Sequence, residues 1–423
     1  MSSDLDPNFL ADSNEALELA LIDGTQLGEG EESELEIFNP SFTYPIFGNE
    51  EKIYGYKGLS IQLHFASGSL AQYLNVSYKS KIKARAAIDD VEGTLYKFIP
   101  PDYYKSETEF LKRVAKDAIE FKPLGNLIHT YTRKKRSGDD EELVKNGDNE
   151  SDEKRTFELY HPCFKARYQT TWETPGFREY HRRMQIFILL YIEGGSYIQE
   201  DEDRWEFVVL YEKKKTQRED GQTLESYHFA GYSSLYPFWF YEDKTRLRLS
   251  QFVILPPYQK QGHGSALYNA IYANIVSRET VAELTVEDPS EAFEDLRDKN
   301  DLLMLLKHEQ FNLEGFGPGE KDGVKKKGKL GPPADKPWVE KWRRDLKIAG
   351  RQFARLVEML ILRSLDPLDA QARRAYRLQV KERLYRFNYE QLIQLEKEER
   401  LEKLEETFQN VHEDYQRLLA LVD

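Results

Sequence analysis

Residues 248–276 read Arg-Leu-Ser-Gln-Phe-Val-Ile-Leu-Pro-Pro-Tyr-Gln-Lys-Gln-Gly-His-Gly-Ser-Ala-Leu-Tyr-Asn-Ala-Ile-Tyr-Ala-Asn-Ile-Val. The apolar, partly β-branched run Leu247 to Leu255 predicts a strand. Pro256 and Pro257 end it, because neither can donate a backbone hydrogen bond to a ladder. Gly262 and Gly264 follow in a tight turn. Leu267, Tyr268, Ile271 and Ile275 then recur at helical spacing, supported by Ala266, Ala270 and Ala273. The unit is strand, glycine-bearing turn, helix.

Such a unit suits phosphate. The first turn of a helix has N–H groups without partners, and the helix dipole adds partial positive charge there. Glycines remove the side chains that would hold a pyrophosphate away from the backbone. The spacing Gln259-x-x-Gly262-x-Gly264 differs from both the GxxxxGK[ST] loop and the GxGxxG turn. It resembles the Q/R-x-x-G-x-G/A motif of the GNAT superfamily of N-acetyltransferases. That resemblance implies that the turn Gln259, Lys260, Gln261, Gly262, His263, Gly264 and Ser265 holds the pyrophosphate of coenzyme A. The plain alternative is a turn between two core elements.

The chain has 423 residues, 40% of them hydrophobic, with 26 Tyr and 23 Phe, enough for two or three domains with large cores. A net charge of −14 argues against binding nucleic acid by broad phosphate neutralisation and favours a basic partner. The single Cys163 excludes an internal disulfide and a cysteine-cluster zinc site, and fits a reducing compartment. No apolar run reaches membrane-spanning length and the N-terminus lacks a signal-peptide core, so a soluble intracellular protein is expected.

Residues 1–35 are acidic and flexible, with a short helix over Ala16 to Ile22. Residues 36–132 form an N-terminal α+β domain. Its strands are Ile53 to Ala66 and Leu70 to Ile82, and its helix is Ser106 to Phe121, opened by a Ser106/Glu109 capping box. Residues 133–155 are a charged insertion, in which the tetrad Arg133-Lys134-Lys135-Arg136 is open to two readings, a solvated loop or a nuclear localisation signal. Residues 156–310 hold the phosphate turn. They include a strand Phe157 to Tyr160, a helix Arg178 to Glu193 and strands Trp205 to Tyr211, Tyr227 to Leu235 and Ala282 to Val286. A helix from Pro289 to Leu306 follows. Short connections between the strands predict an antiparallel meander. Residues 311–338, rich in Gly, Pro and Lys, read as a linker. Residues 339–423 are helical. Their short heptad seam (Leu401, Leu404, Phe408, Val411, Tyr415, Leu418) is expected to pack within the domain.

A second motif, Glu287-Asp288-Pro289-Ser290-Glu291, follows the Ala282 to Val286 strand. With Pro289 at the first helical position, Asp288 reads either as the N-cap or as an acid in the site. Glu287, at a strand end one strand beyond the turn, is the candidate general base. A lysine ammonium, with a reference pKa of about 10.4, is not nucleophilic until it loses a proton. Partial burial would make a carboxylate a better base. Glu193 at a helix end and Trp205 admit plainer readings, as a solvated terminus and a core side chain. The run Tyr236, Phe238, Trp239, Phe240, Tyr241 is too aromatic for one strand face.

Several motifs narrow the resemblance. The run Gln251 to Gly264, Thr285-Val286-Glu287-Asp288-Pro289, Leu296-Arg297-Asp298, Tyr54 to Gly58, Ala66 to Leu70, Ile192 to Tyr197, Arg204-Trp205 and Asp243 to Arg246 are similar to the type B histone acetyltransferase catalytic subunits. They cover about residues 45–300 in the family's order. The resemblance implies an α+β GNAT fold with a mixed, mostly antiparallel central sheet flanked by helices, a β-rich N-terminal region and a helical C-terminal region. It implies direct acetyl transfer from acetyl-CoA to lysines in the N-terminal tail of new histone four, and of histone two A as a further candidate, with no metal. Glu287 would be the base, with Glu193 and Asp288 as helping carboxylates. The backbone of Phe252, Val253 and Ile254 would face the pantetheine and acetyl group. Ser290, Phe293 and Lys299 would add coenzyme contacts, although the family can carry Asn at the first and Arg at the last. Asn49, Glu50, Glu51, Trp205, Tyr236, Pro237 and Phe238 would line the peptide groove. A WD-repeat β-propeller histone chaperone would be the partner, in cytoplasm and nucleus, with no direct nucleic acid and no membrane.

Two other classes are carried beside this one. An acetyl-CoA enzyme for a small amine or another protein would not need an acidic, aromatic groove. A non-catalytic histone-binding scaffold would need neither the Gly262/Gly264 turn nor Glu287.

Overall fold

The computed structural model describes residues 6–26, 35–82, 88–134, 154–162, 171–217, 221–241, 243–317, 320–321, 324–325 and 328–422. Its largest sheet has six strands, in the hydrogen-bonded order Val281–Val286, Lys244–Ile254, Thr223–Phe240, Glu206–Gln217, Lys154–His161, Asn126–Lys134. The four strands from Asn126 to Phe240 pair antiparallel with their neighbours, as the expected meander requires. A four-stranded sheet orders Ile37–Phe38, Leu17–Ile22, Ser60–Ala66, Gln72–Ser77, and its Leu17–Ile22 and Ser60–Ala66 pair is parallel. The α+β GNAT fold expected from the sequence is the one observed.

The chain divides into two compact units, residues 1–237 with 249–271, and residues 238–248 with 272–423. The first unit is built on aromatic packing. Phe187 lies 4.9 Å from Phe65 and 5.7 Å from Phe229, ring centre to ring centre, and all three are fully buried. Offset aromatic pairs of this kind add to the area they bury. The helix Glu107–Glu120 covers the small sheet with Phe110 and Val114. The second unit is a helical body around Phe311, Trp338, Trp342, Phe353, Leu356 and Tyr415.

Several sequence expectations are corrected. Residues 17–22 form a buried strand instead of a helix, because Leu17, Leu19 and Ala20 are completed by the parallel partner Ser60–Ala66. The expected helix Arg178 to Glu193 is two helices, Phe177–Met184 and Ile186–Tyr191, broken at Gln185. Ser106 caps the helix Glu107–Glu120 by position only, with no side-chain cap hydrogen bond. Much of the expected linker is core: Glu309–Phe316 is helical, and Phe311, Leu330 and Trp338 are buried. The helix Lys397–Leu419 turns Phe408, Tyr415 and Leu418 into the same core, so its seam packs within the unit. The tetrad residues Lys135 and Arg136, most of the charged insertion and Cys163 lie outside the described residues.

Candidate active site

The phosphate turn lies in the first unit. The strand Lys244–Ile254 is separated by Leu255 from a short 3-10 turn, Pro256–Tyr258, and the helix His263–Val276 begins five residues after that turn. Lys260 and Gly262 take left-handed φ angles of 57° and 83°. Glycine takes such angles without strain, whereas a side chain there is strained. The Ala266 N–H donates to Gly262 C=O at 3.1 Å, which places Gly262 at the start of the helical ladder.

Side chains around the turn brace it instead of reaching outward. Gln259 Nε2 donates to Ile254 C=O at 2.8 Å, and Gln261 Nε2 to Pro257 C=O at 2.8 Å. Arg155 Nη1 donates to Gln261 Oε1 at 3.3 Å, while its Nε and Nη2 form a bidentate pair with Glu212 at 2.6 and 2.7 Å. Tyr258 OH donates to the same carboxylate at 3.2 Å. His263 is 1% exposed, with its ring centre 4.1 Å from that of Phe157 and its Nδ1 2.8 Å from Tyr131 OH. Burial, with Arg155 and Arg133 nearby, pushes its pKa down to about 4, so the ring is neutral at pH 7. The side chains of Gln259, Gln261 and His263 are therefore structural, and what the turn offers an anion is its backbone. A pyrophosphate fits that offer in shape and charge: a bend at Gly262 with no side chain, at the start of a long helix whose dipole favours an anion.

The strand leading into the turn is held against its neighbour Thr223–Phe240 in this unit. Gly231 lies so close to Val253 that an added Cβ would sit 2.3 Å from its carbonyl oxygen. Leu255 N–H donates to Ala230 C=O at 2.9 Å, where the register of the neighbouring pair also shifts. Gln251, missed as a site residue, is nearly buried. It accepts from Ser234 Oγ at 3.1 Å and donates to Ser196 C=O at 2.9 Å. It thereby ties the Gly194-Gly195-Ser196 turn to the strand. Glu193, just before that turn, is exposed. Trp205 is half-buried with its ring 4.9 Å from Tyr236, and Arg204 stacks over Tyr236 at 5.1 Å and donates to its hydroxyl at 2.8 Å.

Of the other groove candidates in this unit, Asn49 and Glu50 are exposed in a turn. Glu51 is different. Its carboxylate accepts from Thr43 N–H at 2.6 Å and Tyr44 N–H at 3.1 Å, capping the short helix Tyr44–Phe47. The Thr43 bond, opposed by burial, holds its pKa below the usual range. Glu200 is also committed, to Arg182 and Arg178, which leaves Asp201 to Asp203 as the exposed acids of that run.

The carboxylate motif lies in the second unit. Glu287 follows the strand Val281–Val286, its side chain 43% exposed and 3.6 Å from Arg248 Nη1. Arg248 also stacks on Phe238 at 4.3 Å. The strand is held by Leu284, which pairs with the Lys347–Ile348 segment, and by buried Glu283, which accepts from Arg246 and Arg343. Asp288 is not the N-cap. It has φ 32°, and the helix starts three residues later at Glu291. Ser290, in the extended conformation a cap needs, accepts from Phe293 N–H at 3.3 Å. Ser290 is exposed, and Phe293 and Lys299 are half-buried, on that helix. Trp239 and Tyr241 are the most exposed of the aromatic run, at 72% and 71%. Among the described residues no group of His, Cys, Asp and Glu is arranged to hold a metal ion, and no helix is long and apolar enough to cross a membrane.

Comparison with known proteins matches nearly the whole chain. Residues 9–193 match the family described as histone acetyl transferase HAT1 N-terminus, residues 154–293 the acetyltransferase (GNAT) family, and residues 320–366 fungal HAT1, C-terminal. The chain is 52% identical over 425 residues to the histone acetyltransferase type B catalytic subunit of Cryptococcus neoformans var. neoformans serotype D, covering 98% of each chain. It is 50% identical to that of Mycosarcoma maydis, over 89% of this chain and 82% of the relative. To that of Homo sapiens it is 33% identical, over 97% of this chain and 93% of the relative.

Proposed function

Since the chain belongs to the family of histone acetyltransferase type B catalytic subunits, and is an acyltransferase with the GNAT fold, we propose that it moves the acetyl group of acetyl-CoA to lysines in the N-terminal tail of histone four. Acetyltransferases of this fold use acetyl-CoA, and the observation that carries the coenzyme reading is the Gly262 turn with its left-handed backbone before a long helix. In this reading the Gly262 to Gly264 backbone holds the pyrophosphate. The strand residues Phe252 to Ile254 lie along the thioester arm.

Glu287 is assigned the base. Its carboxylate is open to solvent at 43% exposure and so can pass a proton on. It takes the proton of the lysine ammonium. The neutral amine attacks the thioester carbonyl, the C–S bond breaks, and an amide and a free thiol remain. Glu193 and Asp288, both exposed, are the alternative carboxylates. For the peptide, the Trp205–Tyr236 pair and the exposed acids Asp201 to Asp203 offer aromatic faces and negative charge to a lysine-rich tail. The partner proposed from the sequence, a WD-repeat histone chaperone, and work in both cytoplasm and nucleus go with this reading.

The test is mass spectrometry of a histone-four tail peptide after incubation with the protein and acetyl-CoA. Acetyl-lysine in that peptide is the expected result. An untouched peptide, with acetyl transfer to a small amine under the same conditions, would move the enzyme to another substrate class.

A further inference from the structure

The basic tetrad has no part in the reaction as described, yet its first two residues are ordered strand. Asn126–Lys134 and Lys154–His161 pair so that Arg133 faces Arg155 and Lys134 faces Lys154. Two successive rungs of like charge, directly opposite, are unfavourable. They occur in a chain whose net charge is −14. Arg155 is compensated by its bidentate pair with Glu212. Arg133 lies beside the Gly262 turn. An added Cβ at Gly262 would lie 3.4 Å from its Nη2 and 3.5 Å from its Nε. The strand is fixed in that position by Tyr131, which stacks on Phe157 and meets His263 at the start of the helix. The guanidinium is exposed and stacks 5.0 Å from the Tyr131 ring centre, which presets its plane.

We propose that Arg133 is a phosphate-binding residue of the coenzyme site, clamping the pyrophosphate from the side opposite the helix N–H groups. The inference rests on the coenzyme reading of the turn. A planar guanidinium with several donors matches phosphate oxygens in pairs. An anion between Arg133 and the turn also relieves the repulsion between the facing cations. The basic run is then a part of the active site contributed by a strand far from it in sequence, and Gly262, required for its backbone angle, lies at van der Waals distance from the guanidinium.

The experiment is calorimetric titration of coenzyme A, and of 3′-dephospho-coenzyme A, into the full chain and its Arg133→Ala, Arg133→Lys and Gly264→Glu variants. A hydrogen bond to a charged group is worth enough for Arg133→Ala to weaken binding by about 10- to 100-fold. Arg133→Lys should recover part of that loss, and the melting temperature should not move. The loss should be equal for both coenzymes, since they share the pyrophosphate, and the alanine variant should depend less on salt than the parent. Binding by Arg133→Ala within twofold of the parent, with Gly264→Glu dead, overturns the clamp and leaves the turn intact. So does a loss accompanied by a lowered melting temperature and unchanged salt dependence, which marks a structural prop. A loss confined to the 3′-phosphorylated coenzyme also overturns the pyrophosphate contact. Failure of the parent to bind either coenzyme overturns the reading of the turn and the clamp with it.

Discussion

At the scale of single residues, three carboxylates that look alike in the sequence are separated by their surroundings. Glu51 is committed to the Thr43 and Tyr44 amides, Glu283 to Arg246 and Arg343, and Glu287 remains accessible beside Arg248. If Glu287 is the base, Glu287→Gln keeps the side chain's size and removes its ability to take a proton. The expected loss in kcat is about 10²–10⁴-fold, with coenzyme affinity little changed. The rate should recover in part at high pH, where more of the substrate lysine is already neutral. Steady-state kinetics beside Glu193→Gln and Asp288→Asn decide the matter. A near-normal Glu287→Gln with a dead Glu193→Gln would transfer the role to Glu193. Near-normal rates in all three would remove these carboxylates from the chemistry.

At the scale of elements, the Gly262 turn is braced by a buried charge pair. Glu212 is almost wholly buried, and it holds Arg155 and Tyr258, which in turn hold Gln261 and the 3-10 turn. Removing one partner of a buried pair leaves the other charge without compensation, at a cost of about 3 kcal/mol or more. Glu212→Gln should therefore destabilise the chain by about that amount in urea unfolding. Glu212→Gln combined with Arg155→Met, which removes both charges, should regain much of the loss. A double variant as unstable as the sum of its parts would show that the pair is not coupled. A second brace lies at the C-terminal end of the helix His263–Val276. Lys347 Nζ donates to Ile275 C=O at 3.2 Å and to Val276 C=O at 3.0 Å, a cation where the helix dipole is negative.

At the scale of the whole molecule, the first unit buries three histidines in their neutral form. Burial, opposed by Glu200, drives His181 down to about 3. It is also the largest cause in His228 and His263, both held down at about 4. Unfolded histidine titrates near 6.5. Between those values the unfolded chain binds more protons than the folded one, so stability is full above about pH 6.5 and falls as pH drops towards 4. Each histidine should cost about 2 kcal/mol at pH 5 relative to pH 8. Denaturant midpoints at pH 8, 6.5 and 5 measure this. A midpoint constant over that span would mean that the rings are reached by solvent or protonated in place.

What the sequence determined by itself is whatever rests on short-range rules. Prolines stop a strand by lacking a donor, Gly262 permits a left-handed bend, and apolar residues at helical spacing make the helix His263–Val276; all three act within a few residues. Fold class followed from the order of such units and from the motifs that resemble one family. The tertiary structure alone decided the rest, because each case needs a distant partner. Leu17–Ile22 became a strand only by pairing with Ser60–Ala66, against acidic neighbours that suggested solvent. Arg133 reached Gly262 only because Tyr131 and Phe157 meet His263 across the sheet. Charge and composition mark such residues as polar, but which polar group each one meets is a property of packing between segments that no local pattern encodes.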